Sequence, residues 1–273
     1  MKFGCPKGVD YDNIKDRMEM LSFSLATTPL ELFKEDTLVD IATGFFFYDE
    51  KEDRIFLVTC KHCIIDEEQR FYPDRISIKL HTDINDLRRN ARREIKLYKN
   101  GEPVWIEHEN CDIDLALIEV DEEILKDCYI ACFTKNDIFS VRNPRAKELV
   151  HKLEVGSQLL AVEYPEGLYD MVNNLPISRG AFLASKYTIW FDGKPCFLVD
   201  SYLPKGMSGS PVLTATAAFK RDITLGVRHY LAGILRGPLQ TPYLTQRRWI
   251  VVDDIGLYYV FYADLLEEML RNG

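Results

Sequence analysis

Three short segments hold residue types that can take a proton and attack a carbonyl. Gly206-Met207-Ser208-Gly209-Ser210-Pro211 sets a serine between two glycines. A serine hydroxyl is a weak nucleophile until its proton is removed and the attacked oxygen is stabilised as it becomes negative. Flanking glycines permit a tight turn, so that the amides of Gly206 and Ser208 converge beside the hydroxyl as an oxyanion hole. A plain Gly/Ser/Pro turn between two strands is the competing account of this segment taken alone.

Leu57-Val58-Thr59-Cys60-Lys61-His62-Cys63 is an apolar strand that ends in a histidine. An imidazole suits a proton shuttle, since one nitrogen accepts while the other donates near neutral pH. A lone strand-end histidine is more often simply hydrogen-bonded, but His81, His108, His151 and His229 lack comparable surroundings. In Cys111-Asp112-Ile113-Asp114-Leu115-Ala116-Leu117-Ile118 an aspartate enters an apolar strand, where an unpaired carboxylate is costly. An imidazole N–H is a fitting partner and fixes the ring's tautomer. Asp112 has the same strand parity and is the rival; Asp114 is preferred because it abuts the Leu-Ala-Leu run.

These side chains need a scaffold that brings distant segments together. From Thr37 the chain runs in short β-branched and aromatic stretches at 38–48, 54–60, 75–80, 95–98, 103–107 and 114–120. After a polar connector at 134–149 the texture resumes at 157–164, 176–185, 187–191, 195–199, 210–214, 230–235 and 249–262. Breaks at Asp, Asn, Gly and Pro point to antiparallel barrels rather than βαβ units. Residues 10–21 and 29–33 read as helix, 121–127 can start one, and 262–271 reads as a C-terminal helix. The expected fold is all-β, with two six-stranded antiparallel barrels, a short N-terminal helical extension and a C-terminal helix. The corresponding division is 1–36 for the extension, 37–135 for the first barrel with His62 and Asp114, 136–152 for the linker, and 153–273 for the second barrel with Ser208.

A formal net charge of −9 argues against a nucleic-acid surface and fits a protein or peptide partner. No stretch approaches the roughly 18 apolar residues of a membrane span, and the first residues lack the apolar core of a secretory signal. Seven cysteines form no regular disulfide framework, so free thiols and a cytoplasmic location are expected. Cys60, His62, Cys63 and Cys111 could be imagined as a zinc site, but neither Cys60/Cys63 nor Cys128/Cys132 sits in a glycine-rich knuckle. Cys63 is expected as a buried thiol, and Cys128 and Cys132 on one helix or loop face. No metal or organic cofactor is implied. The runs Arg88–Arg93 and Arg247-Arg248 read as solvated loop faces.

The chain order His62, Asp114, Ser208 is that of double-barrel serine proteases, and not of subtilisin-like or α/β-hydrolase enzymes. On these residues the chain resembles the trypsin/chymotrypsin superfamily, in its HtrA-like branch. Ala42-Thr43-Gly44-Phe45-Phe46 is similar to the strand preceding the histidine, and 155–168 to the opening of the second barrel. Pro176–Gly180, Asp200–Pro211 and Leu231–Ile234 resemble the next strand, the loop before the serine and the substrate-lining strand. The resemblance covers about residues 37–271. It implies a chymotrypsin-like double barrel and a serine endopeptidase cutting selected intracellular proteins through an acyl-enzyme on Ser208. It also implies a substrate pocket near Tyr202, as its floor, with Leu235, Arg236 and Gly237 as walls. An aromatic floor favours small or apolar side chains, and Asp200 leaves a basic preference open.

Two departures stand out. Ser210 replaces a second glycine. Met207 stands where digestive relatives carry the aspartate that captures a new N-terminus, so activation by N-terminal processing is not expected. No PDZ segment is expected after the second barrel, which leaves the N-terminal segment or a regulatory protein partner for control. The rival functions are a catalytically silent or partner-activated binding module and an esterase.

Overall fold

Leu30 and Leu32 are fully buried while Glu31 between them is not, the period of two that a strand with one face on a core imposes. The same alternation recurs along a chain whose computed structural model describes residues 1–165, 168–215, 229–244 and 250–272. The start is β1 (Lys2–Gly4), then α1 (Lys15–Met20) and α2 (Ser22–Ala26). Next come β2 (Thr27–Lys34), β3 (Thr37–Asp49), β4 (Arg54–Thr59) and the single turn α3 (Lys61–Ile64). They are followed by β5 (Arg75–His81), β6 (Asn90–Lys96), the β7 (Tyr98–Lys99) and β8 (Glu102–Pro103) hairpin, β9 (Trp105–Glu107) and β10 (Ala116–Glu119). A connecting stretch holds α4 (Glu122–Leu125), β11 (Ile130–Cys132) and α5 (Lys147–Val150). The second half runs through β12 (Gln158–Glu163), β13 (Ile177–Leu183), β14 (Cys196–Asp200) and β15 (Pro211–Thr214). It ends in β16 (Leu231–Leu244), β17 (Ile250–Tyr262) and α6 (Leu265–Asn272).

The two halves close differently. The first is a seven-stranded sheet in the order β6-β5-β2-β3-β4-β10-β9, and the second a closed barrel, β12-β13-β14-β17-β16-β15. The all-β, chymotrypsin-like double-barrel class therefore holds, with one strand more than expected in the first half. Phe45, Phe46, Phe56 and Leu57 fill the first core, and Phe197, Tyr258 and Val260 the second, all without exposed surface.

Four local readings are corrected. Pro29–Phe33 belongs to strand β2, so a boundary at residue 36 falls inside the β2–β3 hairpin. Proline is tolerated there because the β5 ladder spans only Glu31–Phe33, and the Thr28 hydroxyl bonds both N and O of Lys79 where that ladder stops. Asn90–Arg93 is strand rather than loop, its Arg92 paired with Glu31 at 2.7 Å, while Arg88 and Arg89 stay in the turn against Asp86. Tyr187–Phe191 is a turn, closed by Ile189 N on Lys186 O at 3.1 Å, and its buried Tyr187 hydroxyl bonds the carbonyls of Phe139 and Ala232. Cys128 precedes β11 and Cys132 ends it, so the two do not share a helix. Arg247-Arg248, Trp249 and the Glu166-Gly167 part of the expected barrel opening lie outside the described residues. Among the described residues no helix is long and apolar enough to cross a membrane.

Candidate functional site

Strand pairing brings the histidine and the aspartate together. The register of β10 on β4 sets Ala116 opposite Thr59, so the residues just before β10 meet those just after β4. Lys61 N donates to Asp114 O, and His62 N donates to Asp114 Oδ1 at 2.8 Å. The His62 ring then lies with Nδ1 2.6 Å from Asp114 Oδ2, the short separation of a charge-assisted hydrogen bond. Asp112, the rival, is exposed, and its amide bonds the Asn110 side chain.

Ser208 comes from the other half, on the loop before β15. Gly206 and Gly209 adopt φ of +88° and +87°, which side-chain-bearing residues rarely do. At Gly209 a Cβ would stand 2.1 Å from Thr43 O and 2.3 Å from Thr59 Oγ1, so the loop lies directly on the first sheet. Thr43 ties the halves together. Its hydroxyl donates to Gly206 O at 2.9 Å and accepts from Tyr164 N at 3.0 Å, and its amide donates to Ser208 O. Its position in Ala42-Thr43-Gly44 is visible in the sequence, but its threefold bonding is a tertiary property. Among the described residues the amides of Gly206 and Ser208 have no acceptor within the chain, which leaves two donors free beside the hydroxyl.

The serine and the imidazole are not joined. Ser208 Oγ donates to Arg236 O at 2.9 Å, and His62 Nε2 meets Cys63 Sγ at 3.7 Å. Arg236 links the two groups instead, since its Nε lies 3.2 Å from Asp114 Oδ2. That role was not legible beforehand, because it depends on β16 crossing behind the Asp114 segment. An open cleft of about 840 Å3 lies over His62, Asp114 and Arg236, edged by Glu107, Asp112 and Lys194.

Of the four residues expected to form a pocket, Arg236 alone lines this cleft. Tyr202 is 82% exposed and is no pocket floor, because the loop turns its neighbour Leu203 into the second core and leaves Tyr202 facing outward. Leu235 is fully buried in the second core, and nothing lies near the Cβ position of Gly237.

Charges within the cluster are strongly coupled. Burial disfavours a charged imidazole, but the Cys63 sulfur and Asp114 outweigh it and push His62 up to about 11. Cys63 moves the other way: a hydrogen bond from Cys60 draws it below the usual thiol range against burial, and His62 adds to the effect. The two shifts run in the sense in which a Cys63 thiolate and a His62 imidazolium stabilise each other across the 3.7 Å between Sγ and Nε2. Burial holds the Cys60 thiol well above its usual value. It would also raise Asp114, but hydrogen bonds from His62 and the nearby Arg236 bring that carboxyl below its ordinary range.

All seven cysteines are free thiols. Ligand-type atoms of Cys60, His62 and Asp114 lie within 4.8 Å of one another, with Asp114 in the place that Cys111 holds in the sequence-based grouping. Hydrogen bonds account for that proximity. Cys60 Sγ donates to Leu235 O at 3.2 Å, and both Asp114 oxygens are taken by His62 and Arg236. No ligand role is assigned to them.

An all-β double barrel with a carboxylate–imidazole pair on one half and a glycine-flanked serine on the other is the arrangement of a chymotrypsin-like fold. No protein-family model and no curated protein matches the sequence. Among solved structures the chain is similar to the serine endoprotease from Yersinia pestis, with a TM-score of 0.51 and 13% identity. The match covers 97% of this chain and 66% of that one, so this chain spans just under two thirds of that protein's length. At such identity the likeness is one of fold.

Proposed function

We propose that the chain is a serine endopeptidase that hydrolyses peptide bonds through an acyl-enzyme on Ser208. The observation that carries this reading is the 2.6 Å His62–Asp114 contact on the face where the Ser208 loop, with its two unclaimed amides, docks. The Ser208 hydroxyl leaves Arg236 O and turns to a neutral His62, whose Nε2 takes its proton as Oγ attacks the substrate carbonyl. Asp114 holds the Nδ1–H and stabilises the imidazolium that forms. The amides of Gly206 and Ser208 receive the oxyanion, worth about 3 kcal/mol of barrier for each such donor. His62 then protonates the departing amine, and water repeats the sequence to free the acid. The cleft beside Arg236 accepts protein or peptide, and free thiols favour selected substrates in the cytoplasm.

A second reading, a silent or partner-activated module, is favoured by one observation: the Ser208 hydroxyl rests on Arg236 O instead of on the imidazole. Apo enzymes often show such unformed contacts, so it describes a resting state of the same site. A fluorophosphonate probe at pH 9 should add one phosphonyl group to the folded wild type and none to Ser208→Ala. Digestion of an unfolded protein at the same pH separates a peptidase from an esterase. No label on folded wild type, with or without added partner proteins, removes the peptidase reading.

A further inference from the structure

Two buried cysteines surround the base, and the hydrolytic reading leaves both unused. Cys60 ends the apolar run of β4 and Cys63 lies three residues on, around the single turn α3, with Cys63 N donating to Cys60 O at 3.2 Å. Cys60 is the extended residue that caps this turn and Cys63 lies within it, which makes a Cys-x-x-Cys pair, the spacing at which redox-active thiols occur. Cys60 Sγ donates to Leu235 O at 3.2 Å and lies within 4.8 Å of a ring nitrogen of His62. The Cys63 sulfur in turn faces His62 Nε2, the nitrogen that Ser208 needs.

We propose that Cys60 and Cys63 form an oxidisable pair whose thiol state decides whether the His62 ring is available to Ser208. The proposal rests on the peptidase reading for its consequence, but not for its chemistry. In the reduced state the Cys63 sulfur occupies the side of the ring where a serine proton would be received. An imidazolium held there has no lone pair to take that proton. The charged and titratable groups facing the ring are Asp114 from the segment before β10, Arg236 from β16, and Cys60 and Cys63 from its own turn. Asp114 and Arg236 keep their charges when the sulfurs change, so the thiolate is the one partner that oxidation removes.

Hydrogen peroxide is the oxidant class the geometry admits, being small enough to reach a sulfur that is 3% exposed beside a ring that is 38% exposed. The Cys63 thiolate attacks one peroxide oxygen and the O–O bond breaks. Cys63 becomes a sulfenic acid, and the departing hydroxide takes the proton from His62 to leave as water. The Cys60 thiol then attacks the Cys63 sulfur, the S–O bond breaks, and the oxygen leaves as a second water carrying the Cys60 proton. The two sulfurs have lost two electrons, His62 and Cys60 have each given up one proton, and one peroxide has become two waters. The imidazole is now neutral, still held at Nδ1 by Asp114, and free at Nε2. A dithiol reductant reverses the change.

The experiment treats folded protein with hydrogen peroxide or dithiothreitol and follows three readouts. These are the Cys60–Cys63 disulfide by non-reducing peptide mass spectrometry, the ring-nitrogen NMR shifts of His62 at pH 7.5, and the fluorophosphonate labelling rate. The expected result is a Cys60–Cys63 disulfide, a change of His62 from imidazolium to neutral imidazole, and labelling at least 100-fold faster. Cys63→Ala should show the neutral ring and fast labelling without any oxidant. Cys60→Ala should form no internal disulfide with peroxide, and, lacking the Cys60 contact that draws the Cys63 thiol down, should hold less imidazolium than the reduced wild type. Failure to form the disulfide in folded protein overturns the proposal, and so does a disulfide that leaves the His62 signals unchanged. Absence of labelling in every form, with the disulfide and the ring change both seen, sinks the peptidase reading and leaves the thiol pair standing.

Discussion

The two halves of the molecule prepare their reactive groups in opposite ways. On the open seven-stranded sheet, the β4–β10 register has already locked His62 to Asp114 through two hydrogen bonds. On the closed barrel, Ser208 sits on a loop shaped by two left-handed glycines, and its hydroxyl is parked on a backbone carbonyl. Proton-handling groups must hold a fixed geometry and are built from strand pairing. The nucleophile and its amide donors must turn sharply, and are built from a loop that rests on the other half. Thr43 and Gly209 are where the two designs meet.

The largest effects should come from breaking either half's chemistry. Ser208→Ala should lower peptide hydrolysis by about 10,000-fold or more, and Asp114→Asn by about 10,000-fold, by presenting the wrong tautomer of His62. Stopped assays on folded protein check both. Gly209→Ala should destabilise by about 3–5 kcal/mol, since its Cβ would overlap Thr43 O at 2.1 Å on a backbone at φ +87°. Gly101→Ala is the control: the same left-handed backbone, with nothing within 4 Å, should cost about 1–2 kcal/mol. Denaturant midpoints separate them. Thr43→Val should cost about 2–4 kcal/mol, because Gly206 O and Tyr164 N lose their buried partner, and it should slow Ser208 labelling as well.

Smaller effects sharpen the account. In reduced protein the reactive form has a neutral His62, and the ring is pushed up to about 11. Labelling should therefore rise with pH, about tenfold per unit between pH 7 and 9, where an unperturbed histidine would already give a plateau. Tyr202→Ala should change stability by less than about 0.5 kcal/mol and leave cleavage preference untouched, as befits a side chain 82% exposed.

His62, Asp114 and Ser208 stood out in the sequence because each breaks a local pattern: a histidine ending an apolar strand, an acid entering one, a serine between glycines. The barrel texture was legible for the same reason, through period-two runs. Pro29-Leu30-Glu31-Leu32-Phe33 misled because a proline before Leu and Glu imitates a helix start. The alternation of Leu30 and Leu32 around Glu31 was the better signal, and only the long strand β3 beside it decides the matter. The substrate pocket was not legible. Whether Tyr202 is covered, or Leu235 turned into the core, depends on how the loop and β16 pack, and no local residue pattern encodes that. Arg236 on Asp114 is a tertiary contact of the same kind, whereas Cys63 on His62 is a contact between chain neighbours within the turn α3.

The most direct test of the central claim is the intact mass of the folded protein after fluorophosphonate treatment across pH 7–9, with Ser208→Ala alongside. A single adduct mapped to Ser208, forming faster as pH rises and absent from the variant, is the predicted result. An adduct that persists in Ser208→Ala, or none at any pH in either thiol state, would show that His62, Asp114 and Ser208 do not act as one hydrolytic unit.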